Sequence, residues 1–183
     1  TWDSPWATDD PRPLILASFS TTFMDQRDLA RRTVEALGEL PVRGLLTTGP
    51  AIDPEGLPSR DNVAVRRFVP HAEVLPHASL VITHGGLGTV HAALAAGVPL
   101  ICIPHGRDQG DTAARVVHCG AGVRTRRGVS ARKLRSLVAE SLADGSRSAA
   151  AERMAETLAG MDGAARAADE LESLAGSQYG AGL

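Results

Sequence analysis

Short continuous runs of Leu, Ile and Val recur along this sequence and alternate with segments of helical periodicity. The first run covers residues 14–19, and the helical spacing after it ends at Gly38. Strands that are apolar throughout, rather than alternating with polar residues, are covered on both faces, as in a parallel sheet. The pattern predicts an α/β fold with a doubly wound, Rossmann-like, mostly parallel sheet and helices on both faces.

The same alternation continues almost to the end of the chain. It predicts strands at residues 43–47, 63–68, 80–83, 100–103 and 122–125, with helices at 72–78, 88–96 and 109–119. Three further helical stretches follow, at residues 130–144, 147–161 and 164–175. Aromatic residues make up only 3% of the chain, so aliphatic side chains must fill the core.

Size and charge limit the classes of function. A chain of 183 residues fits one domain, and a formal charge of −2 argues against a nucleic-acid partner. The apolar runs are far shorter than the roughly 20 residues that span a bilayer, and the sequence does not open with the charged, apolar and small-residue series expected of a signal peptide. Two dispersed cysteines, Cys102 and Cys119, fit reduced thiols. We expect a cytoplasmic protein with no membrane association.

The first 13 residues differ in composition from the rest. They are rich in Pro and Asp, precede the first apolar run and start at Thr1. Such a segment is typical of an interdomain linker, and we expect residues 1–13 to be its remnant and residues 14–183 to be a folded domain. A processed full-length protein is the alternative.

A glycine-rich segment, His84-Gly85-Gly86-Leu87-Gly88-Thr89, lies between a predicted strand and a predicted helix. Glycines let the backbone approach an anion closely, and the first amides of a helix point outward unpaired. Thr89 and His84 can add side-chain donors. The segment predicts a phosphate site, although the glycines could instead serve only a tight turn.

Asp108 and Gln109 follow the predicted strand at residues 100–103. They therefore belong to the carboxyl edge of the sheet, where doubly wound folds bind ligands. A carboxylate beside an amide offers acceptors and donors to adjacent sugar hydroxyls. The alternative is that Asp108 only caps the following helix.

These features lie within one stretch that resembles a known family. Residues 68–124 read FVPHAEVLPHASLVITHGGLGTVHAALAAGVPLICIPHGRDQGDTAARVVHCGAGVR. The stretch resembles the donor-binding signature of GT-B glycosyltransferases that act on small aglycones, among them bacterial macrolide and enediyne enzymes, plant secondary-product enzymes and glucuronosyltransferases. The resemblance implies that the chain is the C-terminal, nucleotide-sugar-binding domain of such an enzyme.

The resemblance also implies a role for each matching position. Phe68 corresponds to an aromatic residue that stacks on the nucleotide base, and Val69 to a main-chain contact with the base edge. The diphosphate is assigned to the glycine-rich segment, with the residues His84, Gly85, Gly86, Gly88 and Thr89. Asp108 and Gln109 correspond to the pair that holds the sugar hydroxyls, and Thr21 to a contact with the distal phosphate.

Two departures from the family pattern matter. Ala92 stands where many relatives carry a Glu that binds the ribose hydroxyls. The family's general base, a histidine, belongs to an N-terminal acceptor-binding domain, so we expect no catalytic residue in this chain and no activity from it alone. The other histidines show no spacing typical of a metal site, and no cofactor is expected.

The implied reaction is an inverting transfer of a sugar, a deoxysugar in our interpretation, from a TDP- or UDP-sugar to a hydroxyl of a small hydrophobic aglycone such as a polyketide. A nicotinamide-dependent oxidoreductase is disfavoured, because the first strand leads into Ser18-Phe19-Ser20-Thr21-Thr22 without the expected glycines. A sugar-nucleotide epimerase and a non-catalytic nucleotide-binding domain are the remaining alternatives.

Overall fold

The strands form a parallel sheet in the order of a doubly wound fold. The computed structural model describes residues 2–20 and 23–179. Within these residues the sheet has six strands in the order β3-β2-β1-β4-β5-β6, and every pair is parallel. The strands are β1 Leu14–Ser18, β2 Arg43–Thr47, β3 Val63–Arg66, β4 Ala78–Thr83, β5 Leu100–Cys102 and β6 Gly122–Arg124. The predicted fold class is confirmed.

Helices connect and cover these strands. They are α1 Arg27–Gly38, α2 His71–Val74, α3 Leu87–Ala95, α4 Gln109–His118, α5 Ala131–Ala143, α6 Gly145–Ala159 and α7 Gly163–Tyr179. The helix predicted at residues 72–78 is shorter, because α2 gives way to a 3-10 turn at Leu75–His77. Pro76 has no N–H to continue the helical ladder. A second 3-10 turn, at Pro54–Gly56, had no sequence prediction.

The sheet separates two apolar clusters. Successive residues of β1 belong to different clusters: Ile15 and Ala17 to one, Leu14 and Leu16 to the other. Helices α1 and α5 cover the first cluster, and α2, α3, α4 and α6 cover the second. Because side chains of a strand alternate between faces, a strand buried on both must be apolar at every position. This explains the continuous apolar runs in the sequence.

The strand register aligns the ends that lead into the loops. Ser18 of β1 pairs with Thr47 of β2 on one side and with Thr83 of β4 on the other. After β1 the chain returns through α1 to β2, whereas β4 continues to β5 on the opposite side. Loops that depart in opposite directions leave a crevice between them at this switch point. The crevice lies at the carboxyl ends of β1 and β4.

The N-terminal segment packs on the second cluster. The side chains of Trp2 and Trp6 contact it, and the Trp2 amide donates to the carboxylate of Glu73. At the other end of the chain, α7 is exposed along all its described side chains, from Gly163 to Ala175. The core is therefore complete without α7.

Gly122 tests how closely β5 and β6 are packed. A Cβ added there would lie 2.2 Å from the Leu100 carbonyl oxygen and 2.9 Å from a methyl of Val116. We expect Gly122→Ala to lower the free energy of unfolding by about 1–3 kcal/mol, because main chain must move to relieve the overlap. Gly128→Ala is the matched control, since a Cβ there meets nothing within 4 Å, and it should stay within about 0.5 kcal/mol. Urea denaturation of both variants is the measurement, and equal destabilisation would contradict this packing.

Candidate functional site

A cleft of about 460 Å³ opens at the switch point. It collects the carboxyl ends of β1, β2, β3 and β4 together with the first turn of α3. The lining residues are Ser18, Phe19, Ser20, Thr47, Gly49, Arg67, Phe68, Val69, His71, His84, Gly86, Leu87, Gly88 and Thr89. Six of the predicted site residues, Phe68, Val69, His84, Gly86, Gly88 and Thr89, are thus brought together. The size suits a small-molecule ligand.

The first turn of α3 presents unpaired amides to this cleft. The helical hydrogen-bond ladder begins with the Val90 amide, which donates to the Gly86 carbonyl at 3.0 Å. Within the described part of the chain, the amides of Leu87, Gly88 and Thr89 have no acceptor, and no side chain caps the helix. Such amides and the helix dipole together favour an anion, by about 0.3–1 kcal/mol for the dipole at an exposed end.

Gly85 requires glycine for two reasons. Its φ is +89°, and an added Cβ would lie 3.1 Å from the carbonyl oxygen of Gln109. The left-handed conformation and the close approach of another loop both exclude a side chain. Gly85 does not line the cleft; it sets the path of the chain from β4 into α3.

His84 reaches the cleft from the end of β4. Its side chain is only 8% exposed, and a Cβ added to Gly86 would lie 2.6 Å from its Nε2 atom. The ring therefore needs a glycine at position 86. The opposite ring nitrogen, Nδ1, is buried and makes no hydrogen bond of normal geometry within the described residues. The main chain of Ser18 is nevertheless near enough to favour the protonated form of the imidazole.

Burial is the main influence on the charge of His84. It lowers the pKa of the imidazole below its usual value of 6.5, and His105 lowers it further, while Ser18 and Asp108 act in the opposite direction. The net pKa is lowered, so the ring is neutral at pH 7 when the cleft is empty. An anion against Nε2 would favour the charged form.

Phe68 and Val69 form the other side of the cleft, after β3. Phe68 is 78% exposed, unusual for a large aromatic residue, whereas Val69 is 6% exposed and packs in the second cluster. An exposed ring beside a fixed main chain is suited to stacking on a planar ligand. His71, at the start of α2, lies next to them, and burial lowers its pKa.

Asp108 lies outside this cleft, in the loop between β5 and α4. Its side chain is exposed and makes no capping bond to the amides of α4. Asp108 does occupy the N-cap position, where its carbonyl accepts from the Thr112 amide at 3.0 Å, but capping by its carboxylate is not observed. The carboxylate is free to meet a ligand that extends beyond the phosphate site.

Gln109 also lies outside the cleft, and its side chain is 3% exposed. The amide oxygen accepts from the His105 amide at 2.8 Å and from the Gly106 amide at 3.2 Å, and the Nε2 atom donates to the Met24 sulfur at 3.3 Å. The intervening Arg107 has a φ of +54°, which costs roughly 1–2 kcal/mol for a residue with a side chain. The loop before α4 is held in a strained conformation.

Two other positions from the sequence analysis can be placed. Ala92 lies on α3 and packs against the second cluster, so no carboxylate is available at that position. Thr21 falls outside the described residues. Ser18, Thr47 and Gly49 line the cleft although the sequence did not single them out. The signal would have been a polar or small residue at, or shortly after, the end of an apolar strand.

Other functional groups are sparse. Neither a metal-binding group of three His, Cys, Asp or Glu side chains nor a helix long and apolar enough to cross a membrane occurs within residues 2–20 and 23–179. Both cysteines are free: Cys119 is exposed, and burial raises the pKa of the Cys102 thiol to about 12. Neither thiol belongs to the cleft.

The fold has close counterparts among solved glycosyltransferases. The calicheamicin glycosyltransferase CalG4 superposes with a TM-score of 0.85 at 32% identity, over 96% of this chain and 44% of that one. The glycosyltransferase VinC, solved in complex with DTDP, superposes with a TM-score of 0.76 at 26% identity, over 91% of this chain and 42% of that one.

Sequence comparison gives the same assignment. Demethyllactenocin mycarosyltransferase of Streptomyces fradiae is 35% identical over 95% of this chain, and 4'-demethylrebeccamycin synthase of Lentzea aerocolonigenes is 35% identical over 91%. The chain spans only 38% and 39% of the length of these two relatives. Residues 32–174 match the family described as the C-terminal domain of erythromycin biosynthesis protein CIII-like proteins. The chain belongs to this family of glycosyltransferase C-terminal domains and is similar to antibiotic glycosyltransferases of GT-B architecture.

Proposed function

We propose that residues 14–183 form the nucleotide-sugar-binding domain of an inverting glycosyltransferase, and that residues 1–13 are the linker to an N-terminal acceptor-binding domain. The donor is a TDP- or UDP-sugar, its sugar is a deoxysugar, and the acceptor is a hydroxyl of a small hydrophobic aglycone such as a polyketide. The observation that carries the proposal is the set of unpaired α3 amides facing a cleft between His84 and Phe68.

The cleft offers a place for each part of such a donor. The exposed ring of Phe68 can stack on the base, and the main chain at Val69 can bond its edge. The diphosphate then meets the amides of Gly88 and Thr89, the Thr89 hydroxyl and Nε2 of His84. The sugar extends toward Asp108, which lies between the end of β5 and the start of α4.

This arrangement stabilises the leaving group. In the reaction the acceptor oxygen, deprotonated by a base on the other domain, bonds to the anomeric carbon. The bond from that carbon to the phosphate oxygen breaks, and its electron pair stays on the nucleoside diphosphate. Donors fixed where this charge develops lower the barrier without reorganising. The amides of α3 are rigid main-chain donors of this kind, whereas the base is not assigned to this chain.

The position of the glycines favours this function over an oxidoreductase. In a dinucleotide-binding domain the glycine-rich turn follows the first strand of the sheet. Here β1 is followed by Phe19 and Ser20, and the glycine-rich turn follows β4. The phosphates therefore meet the second half of the sheet.

Thr89 tests the phosphate site. We expect the chain to bind thymidine diphosphate, and Thr89→Val to weaken that binding by about 0.5–1.5 kcal/mol, since one hydrogen bond is lost at unchanged shape. Thr89→Ser keeps the hydroxyl and should bind as the parent chain does. Thr157→Val removes a hydroxyl from an exposed site on α6 and serves as the distant control. Calorimetry measures all four, and equal affinities for Thr89→Val and Thr89→Ser would reject the contact.

His84 should couple diphosphate binding to proton uptake. The pKa of the ring is lowered in the empty cleft, and a bound diphosphate raises it by favouring the imidazolium. Affinity should therefore rise as the pH falls through the pKa of the bound state, and level off below the pKa of the empty state. A shift of one pKa unit corresponds to about tenfold in affinity.

The terminal phosphate of the ligand itself titrates at about pH 6, so a control is needed. His84→Gln keeps an N–H donor but does not titrate. In titrations with thymidine diphosphate between pH 5 and 8, the affinity of the parent chain should rise more steeply as the pH falls than the affinity of His84→Gln. Superimposable pH profiles would rule out the proton coupling.

Ala92 bears on the choice of nucleoside. A Glu at this position can accept from both ribose hydroxyls at once. Thymidine diphosphate has no 2′ hydroxyl, so its binding depends less on such a Glu. We expect the chain to bind thymidine diphosphate at least as tightly as uridine diphosphate, with a margin of about 1 kcal/mol. Ala92→Glu should shift the preference toward uridine diphosphate. The neighbouring exposed His91, changed to Glu, introduces the same carboxylate on another side of α3 and should leave the preference unchanged. Uridine diphosphate binding tenfold tighter to the parent chain would reject the proposal.

A further inference from the structure

The segment that precedes β1 is fastened to the rest of the domain at both of its ends. Next to β1, the Arg12 carbonyl accepts from Nε of Arg43 at 2.7 Å, and the Pro13 carbonyl accepts from the Arg43 amide at 2.9 Å. At the far end, the amide of Trp2 donates to the carboxylate of Glu73. The segment thus runs from the start of β2 to α2.

The side chain of Trp2 lies against α2 and the 3-10 turn that follows it. The centroid of its ring is 6.1 Å from that of His77, with the two rings tilted by 39°. The same ring packs against the second cluster, and the residue is half-buried. Glu73 and His77 are about one helical turn apart, so Trp2 holds both ends of this short helical piece.

Helix α2 needs support of this kind. It is a single turn, His71–Val74, and a helix this short gains little from its own hydrogen bonds. Val74 and Leu75 fix its inner side, because they are 0% and 3% exposed in the second cluster. The contacts of Trp2 with Glu73 and the following turn add a hold at other positions. The place of α2 is therefore set by its neighbours.

Helix α2 also determines one side of the cleft. The Glu73 amide donates to the Pro70 carbonyl at 3.1 Å, and Pro70 directly follows Val69. Val69 and His71 both line the cleft. A series of contacts thus joins Trp2 to the side where we place the nucleotide base. The hydrogen bonds of the N-terminal segment do not reach α3 within the described residues, so the phosphate side is held separately.

We propose that Trp2 is a positioning residue for the nucleotide: by holding α2 in place it fixes the base side of the cleft, although it does not itself line the cleft. This inference rests on the proposed function for the location of the base. It gives the segment before β1 a part in donor recognition.

A measurement without ligand tests whether the segment is fastened. The chain has two tryptophans, so Trp6→Phe leaves Trp2 as the only one. Acrylamide should quench this variant weakly, and at least about twofold more strongly once Glu73→Ala removes the acceptor of the Trp2 amide, because a released segment is open for more of the time. Glu73→Gln retains an acceptor and should change little. Quenching of Trp6→Phe as strong as that of free N-acetyltryptophanamide, or equal quenching in all three, would overturn the fastening.

Binding then tests the positioning role. The probes are thymidine diphosphate, which carries the base, and inorganic pyrophosphate, which does not. The ratio of their dissociation constants, measured by NMR titration, is compared because a loss of folded protein weakens both equally. Trp2→Ala should shift the ratio against thymidine diphosphate by about fivefold, and Trp2→Phe, which keeps an aromatic ring, by less than about twofold. Gly122→Ala is the control for lost stability and should leave the ratio unchanged.

Two results would contradict the inference. Equal weakening of both probes in Trp2→Ala would show that the ring supports only the fold. A shift of the ratio in Gly122→Ala as large as in Trp2→Ala would show that any loss of stability disturbs the base side. Glu73→Ala should shift the ratio in the same direction as Trp2→Ala and decides the matter if Trp2→Ala does not fold. Failure of the parent chain to bind either probe would instead reject the proposed function and the positioning role with it, whereas the quenching measurement would still decide the fastening.

Discussion

The site depends on the unpaired amides at the start of α3. These amides can bind an anion only if they face a cleft, and the parallel pairing of β1 with β4 provides that cleft, because the chain leaves the two strands in opposite directions. The burial of β4 on both sheet faces fixes the point at which α3 begins. The glycines then bring the backbone through the turn, with Gly85 at a φ of +89°. The phosphate recognition that we propose would thus depend on the fold as much as on side chains.

His84 adds a titratable group to this main-chain site. Its ring is held in a buried position over Gly86, where desolvation lowers the pKa and keeps it neutral until an anion arrives. The neutral ring can become cationic when negative charge develops nearby. In the proposed function, main-chain dipoles and an inducible charge on His84 would both stabilise the leaving diphosphate.

The sequence predicts the sheet, the helices and six of the residues that line the cleft, because these depend on local patterns. Continuous apolar runs identify strands such as β1, and the glycines around Gly86 identify the turn into α3. The structure of the loop at Gln109 could not be predicted, because Met24, Gly85 and His105 are far apart in sequence and meet only in the fold. The apolar spacing of α7 likewise predicted a helix but not that Leu171 would be exposed.

The most direct test of the account is an NMR titration of this chain with thymidine diphosphate, with every backbone amide assigned. The account predicts that the amides of Leu87, Gly88 and Thr89 shift most, together with that of Val69, and that amides at the amino ends of the strands, such as that of Leu14, do not. Shifts confined to other surfaces, or the absence of shifts at the start of α3 at saturating ligand, would contradict it.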